Sequence, residues 1–401
     1  MSQGVGGLDA AVVVCPREAR GSDCLSLRLG GLSLLTRSLL AARHAGFERV
    51  MVVGEPGQRK ALAAHWDGDP RLEGVRWLET EETPGSLPPR CLLLLPDTVI
   101  ISGDIRAWVE DLPISAEASA PDAGGLGPMA LSSGLLPAAM ASAEGGARGL
   151  AAYLAGLAGA GKLVEVPWPG PFRHAVESAV DIPRVERKLL HALHTPDDGP
   201  LVDRFVNRTF SGWLSRLLVK TSVTPNQITV ASLLTGLLGA WVLGGWGWSA
   251  SVCGLLLFQL SVILDHVDGE IARLKYQFSA SGKWLDNWSD HVVDLAVVGM
   301  LAWRAAGDGG GALIGLGIAA AVGVTGSFLL AFRWSLVPQA AAARPPGLDS
   351  LANRDGFCVA LWAAVLLGRP VWFLWALGVG ANLFWLLWLV RAGLPPRRSG
   401  R

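Results

Sequence analysis

Two pairs of aspartates stand in the apolar second half of this sequence, where charged side chains are unusual. Asp265 and Asp268 come directly after a run of uncharged residues, and Asp286 and Asp290 follow further along the chain. Residues three or four positions apart lie on the same face of a helix. Each pair would therefore form an acidic stripe, and two such helices side by side would bring four carboxylates together.

Carboxylates at membrane depth need a cation beside them. Each one costs about 2.5 to 3.5 kcal/mol on insertion scales, and clustered like charges also repel. Because no group of lysines or arginines lies on the two acidic faces, we expect divalent metal ions. Oxygen ligands favour Mg²⁺, Mn²⁺ or Ca²⁺ over zinc. A two-metal site beside the small residues Gly269, Ala272 and Gly282 would suit a diphosphate.

The spacing of these residues resembles a known signature. The pattern D-x2-D-G-x2-A-R-x8-G-x3-D-x3-D is met by Asp265, Asp268, Gly269, Ala272, Arg273, Gly282, Asp286 and Asp290. It resembles the signature of the CDP-alcohol phosphotransferases, and VTPNQIT at 223–229 is similar to the segment that begins their first helix. The resemblance covers about residues 200–395. It implies that an acceptor hydroxyl attacks the phosphorus of a CDP-linked alcohol and that CMP leaves.

The resemblance also implies roles for single residues, with Mg²⁺ or Mn²⁺ as the cofactor. Asp265, Asp268 and Asp286 would bind the metals, and Asp290 would bind a metal or act as the base for the acceptor. The residues expected around the CDP group are Gly269, Ala272, Arg273, Gly282, Thr224, Pro225 and Asn226. The family likeness further implies a homodimer. Two donors stay open: CDP-inositol with inositol 1-phosphate as acceptor, or CDP-diacylglycerol with a phospholipid as product.

Some neighbouring residues have simpler interpretations. Asp294 continues the second stripe and is expected to hydrogen-bond within the helix bundle. For Lys275, a positive-inside charge and a role at the site are equally open. Two other protein classes also bury such residues: a cation transporter, which typically has broken helices in repeated halves, and a membrane-anchored binding protein with inactive sites. Broken helices in repeated halves are not found in the sequence.

Apolar residues are concentrated after residue 200. Of the whole chain 51% is hydrophobic, and the mean hydropathy is +0.38. Several stretches approach the roughly 20 residues that a membrane-spanning helix needs. We predict six spans, at about 227–248, 249–264, 282–303, 309–332, 355–368 and 370–390. Residues 196–222 are predicted to be a linker with an amphipathic interfacial helix, 223–395 the membrane domain and 396–401 a basic tail.

Basic side chains indicate the side of the membrane that each loop faces. Arginines and lysines precede the first span, separate the second from the third and the fourth from the fifth, and follow the last. The opposite loops offer only Arg304 and Arg369. Since basic loops stay in the cytoplasm, we expect a multi-pass protein of the cytoplasmic (inner) membrane with both termini in the cytoplasm. The N-terminus has no signal-peptide pattern.

Residues 1–195 have the pattern of a cytoplasmic α/β domain. Short apolar strands are predicted at 10–15 and 49–55, and a helix between them at 33–46 ends on a glycine. Together they form one βαβ unit.

A further strand is predicted at 91–100, and Asp97 falls near its end, where open α/β sheets place ligand groups. The Gly-, Ala- and Pro-rich stretch 117–162 is expected to form loops with one helix near 148–158.

This first half resembles sugar and polyol-phosphate nucleotidyltransferases. GGLSLLTRSLLAARHAGFERVMVVGE at 30–55 is similar to the segment after their nucleotide loop, and the likeness implies metal ligands at Asp97 and Asp181. Joined to the membrane motif, it resembles the bifunctional inositol-1-phosphate cytidylyltransferase and di-myo-inositol-phosphate-phosphate synthases. The loop CPREARGSDCLSLRLGG departs from the family because it lacks a lysine and most of the glycines. An active cytidylyltransferase, a degenerate nucleotide-binding domain and a purely structural domain therefore stay open.

Charge and cysteine content exclude other classes. The 34 basic and 34 acidic residues cancel, so no overall field attracts nucleic acid, and none is expected as a partner. The five cysteines are odd in number and widely spaced. They predict neither a disulfide framework nor a zinc site.

Overall fold

The computed structural model describes residues 7–8, 10–15, 25–54, 57–79, 89–121, 127–143, 145–170, 172–193, 207–307, 310–334 and 354–393. The chain divides into two compact units, Met1–His194 and Thr195–Arg401. The first is mixed α/β and the second is helical, which confirms the coarse fold class expected from the sequence.

A seven-stranded sheet forms the centre of the first unit. The strands of the first unit are β1 (Ala10–Val14), β2 (Arg28–Leu29), β3 (Leu32–Ser33), β4 (Val50–Gly54), β5 (Arg76–Glu79), β6 (Arg90–Leu94), β7 (Thr98–Ile100), β8 (Ala118–Ala120), β9 (Met129–Ser132), β10 (Leu163–Glu165) and β11 (Arg173–Ala175). β2 pairs with β3, and β7 with β11, in two separate two-stranded sheets. The seven-stranded sheet has the order β10-β8-β9-β6-β1-β4-β5. β1 is parallel to both β4 and β6, with Val12 opposite Met51 and Leu93. β9 runs antiparallel to its neighbours β6 and β8.

The predicted βαβ unit is present because its local signals agree with its burial. The helices of the whole first unit are α1 (Leu34–Ala45), α2 (Arg59–Ala63), α3 (Ser102–Glu110), α4 (Leu136–Ala143), α5 (Gly146–Gly159) and α6 (Ile182–Leu193), and α1 is the helix of the βαβ unit. The hydroxyl of Ser33 caps α1 by accepting a hydrogen bond from the backbone N–H of Thr36 at 3.1 Å. The helix ends at Gly46, whose φ of 109° is a left-handed conformation that glycine adopts at little cost.

Two expectations for the first unit are wrong. The single strand at 91–100 is divided into β6 and β7 by a turn that contains Asp97, and β7 pairs antiparallel with β11. In the stretch 117–162 the helix expected near 148–158 is present as α5, but β8, β9 and α4 stand where loops were expected. Its strands are short and rich in alanine and serine, so they lack the β-branched pattern and owe their existence to burial in the sheet.

The second unit consists of helices that correspond in order to the predicted segments. They are α7 (Arg208–Leu218), α8 (Pro225–Leu243), α9 (Trp248–Lys275), α10 (Ala280–Gly307), α11 (Ala312–Trp334), α12 (Arg354–Leu366), α13 (Pro370–Trp375) and α14 (Asn382–Gly393), with a π-helical segment, Ala376–Ala381, joining the last two. Among the described residues, four helices are long and apolar enough to cross a membrane: Pro225–Leu243, Trp248–Lys275, Leu313–Arg333 and Pro370–Arg391. Gly356–Leu366 is a shorter apolar helix. The count of six spans stays a prediction.

Close packing of α8 against α9 fixes the helices that carry the acidic residues. A Cβ atom at Gly239 would lie 2.8 Å from the backbone nitrogen of Phe258, and one at Gly254 would lie 2.5 Å from that of Leu243. The two backbones therefore touch where side chains are absent, as small residues allow between membrane helices. Val293 of α10 reaches the same seam, since a Cβ at Gly236 would lie 2.7 Å from its methyl carbons.

Candidate active site

Three carboxylates from α9 and α10 meet at one place. One oxygen atom each of Asp265, Asp286 and Asp290 lies within 4.8 Å of the other two. All three side chains are partly buried. At such separations like charges repel strongly outside bulk water, so the arrangement suits a bound cation.

The turn between α9 and α10 brings their acidic stripes together. α9 ends at Tyr276, which has a left-handed φ of 53°. Ser279 then opens α10, because its hydroxyl accepts a hydrogen bond from the backbone N–H of Gly282 at 2.9 Å. The chain thus reverses direction within a few residues, and α9 and α10 both pack against α8, so that their acidic stripes approach each other without the two helices packing along their length.

Asp268 is not one of the three clustered carboxylates. It is buried, with 5% of its surface exposed, and its Oδ2 accepts a hydrogen bond from Oγ1 of Thr229 on α8 at 2.5 Å. The structure thus brings together three of the four predicted acidic residues and holds the fourth against a third helix.

The guanidinium of Arg273 lies at the edge of this acidic group. A Cβ at Gly269 would be 3.4 Å from Nη1 of Arg273 and 3.5 Å from Nη2, so the guanidinium folds back over that glycine. It interacts with the charges of Glu270, Asp268 and Asp286. The sequence-based expectation excludes a group of basic residues on the acidic faces, and Arg273 is a single one, which the resemblance already places near the CDP group. Arg273 lies four residues after Gly269, so the helix places its long side chain over that glycine.

The residues before and in the first turn of α8 lie against the start of α10. A Cβ at Gly282 would be 3.1 Å from Oδ1 of Asn226. Thr224 and Pro225 begin α8: Thr224 forms a capping box with Gln227, and Pro225 occupies the first turn. Ala272 lies one turn beyond Asp268 on α9 and is partly buried. The structure thus gives Thr224 and Pro225 a local role in placing Asn226 near Gly282.

Two residues that sequence reasoning did not single out are built into this region. Thr229 is one, and its position inside the quoted VTPNQIT motif is the signal that could have indicated it. Ser211 on α7 is the other, because its hydroxyl donates to Oε1 of Glu270 at 2.7 Å and both side chains are buried. Nothing in the apolar pattern of α7 pointed to that contact.

Asp294 lies one turn beyond Asp290, and its carboxyl interacts electrostatically with the charge of Asp265. Its Oδ1 is buried and makes no hydrogen bond within the described part of the chain. The bundle hydrogen bond expected for Asp294 is therefore not made at this oxygen.

The candidate metal ligands of the first unit lie in two different turns. Asp97 is in the turn after β6, and burial raises the pKa of its carboxyl, with the charge of Glu177 acting in the same direction. Asp181 precedes α6, and its Oδ2 accepts hydrogen bonds from the backbone N–H groups of Glu177 at 3.1 Å and Ser178 at 3.0 Å. Asp181 thus stabilises its own turn. Most of the atypical loop that follows β1, residues 16–24, lies outside the described residues.

Comparisons with known proteins agree with the signature. The sequence model of the CDP-alcohol phosphatidyltransferase family matches residues 222–345. A Thermococcus kodakarensis protein named bifunctional IPC transferase and DIPP synthase is 38% identical over 129 residues, which cover 32% of this chain and 28% of that relative. This match and two others to proteins of the same name cover only 25% to 30% of the length of those relatives.

A longer alignment and a solved structure complete the comparison. A Rubrobacter xylanophilus protein with the same name is 27% identical over 430 residues and covers 94% of both chains. The crystal structure of Mycobacterium tuberculosis phosphatidylinositol phosphate synthase with CDP-DAG bound superposes with a TM-score of 0.40 at 20% identity, over 48% of this chain and 98% of that one.

The matched segment contains the whole eight-residue signature, from Asp265 to Asp290, together with the three carboxylates that the structure clusters. Residues 222–345 of this chain therefore form a domain of the CDP-alcohol phosphatidyltransferase family.

Proposed function

We propose that this protein transfers a phospho-alcohol from a CDP-alcohol to a hydroxyl acceptor and releases CMP, with Mg²⁺ or Mn²⁺ as cofactor. The observation that carries the proposal is the approach of Asp265, Asp286 and Asp290 to within 4.8 Å inside the family domain. A bundle that needed only hydrogen bonds between its helices would not gather three like charges.

The donor set fits a hard divalent cation. All three clustered side chains offer carboxylate oxygens, which Mg²⁺ and Mn²⁺ prefer to sulfur or nitrogen ligands. Asp268 is the proposed fourth ligand, since it lies on the same helix as Asp265 and its carboxylate, like that of Asp286, interacts with the charge of Arg273. When bound, such a metal pair neutralises charge on the diphosphate and on the CMP leaving group.

The side chains around this acidic group supply the remaining functions. Asp290 takes the proton from the acceptor hydroxyl as that oxygen attacks phosphorus. The guanidinium of Arg273, folded over Gly269, is a planar donor suited to phosphate oxygens. Gly269, Ala272 and Gly282 leave room for the cytidine, beside Thr224, Pro225 and Asn226 at the start of α8.

The favoured substrates are CDP-inositol as donor and inositol 1-phosphate as acceptor. Relatives named IPC transferase and DIPP synthase, one of them aligned over 94% of the chain, support this choice. The alternative is a CDP-diacylglycerol donor that yields a phospholipid. It is favoured by the position of Asp265 and Asp268 on α9, a helix long and apolar enough to span a membrane and thus accessible to a lipid donor.

The same proposal extends to the whole chain. Residues 1–195 would form a nucleotidyltransferase-like domain, active or degenerate, with Asp97 and Asp181 as its metal ligands. Its support is a largely parallel sheet with Asp97 after the carboxyl end of β6, the edge where such sheets bind ligands. We further propose six spans in the cytoplasmic membrane, both termini in the cytoplasm, and a homodimer.

A substrate panel tests the proposed reaction. Purified full-length protein is offered CDP-inositol or CDP-diacylglycerol, each with a hydroxyl acceptor, in the presence of Mg²⁺ or Mn²⁺. CMP release that disappears on addition of a chelator is the expected result. If no pairing of donor and acceptor yields CMP above a protein-free control, the proposed function is wrong.

A further inference from the structure

The hydroxyl of Thr229 has two oxygen atoms within reach. It lies 2.5 Å from Oδ2 of Asp268 and 3.2 Å from the carbonyl oxygen of Pro225, one turn earlier on the same helix. Thr229 is 3% exposed and Asp268 5% exposed, so bulk water does not compete for this contact. A threonine on α8 is therefore in direct contact with a signature aspartate on α9.

The distances decide which oxygen receives the single hydroxyl proton. A separation of 2.5 Å falls in the range of about 2.5 to 2.7 Å that is typical of a hydroxyl bonded to an ionised carboxylate. The contact with Pro225 is longer and weaker. Thr235 shows the usual alternative, because its hydroxyl donates to the carbonyl oxygen of Ala231 at 2.7 Å within its own helix.

Other contacts fix the position of the donor. Ser232, on the next turn of α8, donates its hydroxyl to the carbonyl oxygen of Ser261 on α9 at 2.8 Å. Proline and a capping box fix the start of α8. Threonine itself has few side-chain rotamers. Thr229 therefore holds the Asp268 carboxylate from a second helix, in addition to the charge of Arg273 on the helix that carries it.

We propose that Thr229 is a positioning residue, which holds the Asp268 carboxylate in the orientation that binds the divalent metal. This inference rests on the proposed function, since it takes Asp268 to be a metal ligand. A carboxylate that is already ordered loses less conformational freedom when the metal binds, and hydrogen bonds to ligands commonly change metal affinity by about 10- to 100-fold.

Metal affinity tests this role without relying on turnover. Full-length protein in detergent is titrated with Mn²⁺, and the electron paramagnetic resonance signal of the free ion gives the dissociation constant. For Thr229→Val, which keeps the size but removes the hydroxyl, we expect this constant to rise about tenfold or more. Thr229→Ser, which restores the donor, should return it to within about threefold of the original value. Thr235→Val, on the same helix, should leave it unchanged.

The outcomes separate the inference from the proposed function. If the unaltered protein binds no Mn²⁺, the metal-dependent function fails. If the unaltered protein binds Mn²⁺ and Thr229→Val binds it equally well, only the role of Thr229 is wrong. Thermal unfolding in the same detergent shows whether each variant is folded. Should Thr229→Val not fold, Thr229→Cys replaces it, because a thiol is a much weaker donor: a tenfold loss supports the role, and unchanged affinity overturns it.

Discussion

The ammonium group of Lys275, at the end of α9, lies 2.9 Å from the carbonyl oxygen of Thr221. It also donates to the carbonyl oxygen of Val223 at 3.1 Å, and the side chain is 8% exposed. Both carbonyls belong to the segment that leads into α8, which carries Asn226 and Thr229. Lys275 therefore joins the end of the helix bearing Asp265 and Asp268 to the start of the helix that completes the site.

Replacing Lys275 by methionine should loosen this connection. Two carbonyl oxygens lose their donor, at a cost of about 1 to 3 kcal/mol for each one left unsatisfied. We expect thermal unfolding at a lower temperature and CMP release reduced about tenfold, because small displacements of positioning groups impair catalysis. Lys275→Arg should retain part of both properties. Unfolding is followed by circular dichroism and turnover by CMP release.

The exposed Lys283, on α10, provides the matched control. Lys283→Met removes the same charge near the same end of the bundle and should change neither property appreciably. Equal effects of the two substitutions would mean that Lys275 acts only through its charge on the loop, and not through its hydrogen bonds.

Asp290→Asn should abolish most of the transfer reaction. An amide of the same shape cannot accept the proton of the acceptor hydroxyl, and loss of a general base typically lowers rates by about 10² to 10⁴. The measurement is CMP release at saturating Mg²⁺, so that reduced metal affinity does not limit the rate. Unchanged CMP release would contradict the assignment of Asp290 as the base.

Asp294→Asn, one turn further along α10, is expected to leave the transfer reaction largely intact. The buried Oδ1 of Asp294 has no hydrogen bond within the described residues, and the nearby charge of Asp265 repels it. Because an amide cannot ionise, the substitution should raise the unfolding temperature and leave CMP release within about threefold. A large loss of activity would instead place Asp294 among the working carboxylates.

Gly239→Leu should disrupt the packing of α8 against α9, the helix that carries Asp265 and Asp268. A Cβ at this position would lie 2.8 Å from the backbone nitrogen of Phe258, where no flexible side chain can move aside. Overpacking of this kind costs about 1 to 3 kcal/mol or more. We expect low yields of folded protein and early thermal unfolding. At Gly299 on α10 a Cβ would meet no atom within 4 Å, so Gly299→Leu should be tolerated, and equal damage there would argue against the close backbone contact.

The acidic site could be predicted closely because helix periodicity alone determines which residues share a face. Asp265 lies on one helix and Asp286 and Asp290 on the next, and the short turn between them, with the packing of both helices against α8, brings the three carboxylates together. Thr229 and Arg273 were harder to interpret. The hydroxyl of Thr229 acts across a helix interface, which spacing along one segment does not show. The position of Arg273 over Gly269 follows from their four-residue spacing, but the direction of its guanidinium toward Asp268 and Asp286 does not.

In the first unit the same limit appears for strands. The βαβ unit at 10–54 could be read because β1 and β4 are apolar and α1 has clear capping residues at Ser33 and Gly46. β8 and β9 were missed since they consist mainly of small residues, and pairing rather than local preference makes them strands: β9 pairs with β6 and β8, and β8 also pairs with β10. The turn at Asp97 likewise depends on the pairing of β7 with β11.

The thiol of Cys15, which follows β1 at the carboxyl end of the sheet, should be unreactive in the folded protein. Burial raises its pKa from 9.0 to about 12. At pH 8 this leaves about one thousandth as many thiolates as an ordinary cysteine would have, and only the thiolate reacts with maleimides. Because the thiol is the favoured form, labelling should be slow at pH 8 and should rise about tenfold with each pH unit, levelling off only near pH 12. Mass spectrometry of the peptide that contains Cys15, with and without denaturant, measures the effect. Rapid labelling at pH 8 without denaturant would show that this edge of the sheet opens to solvent.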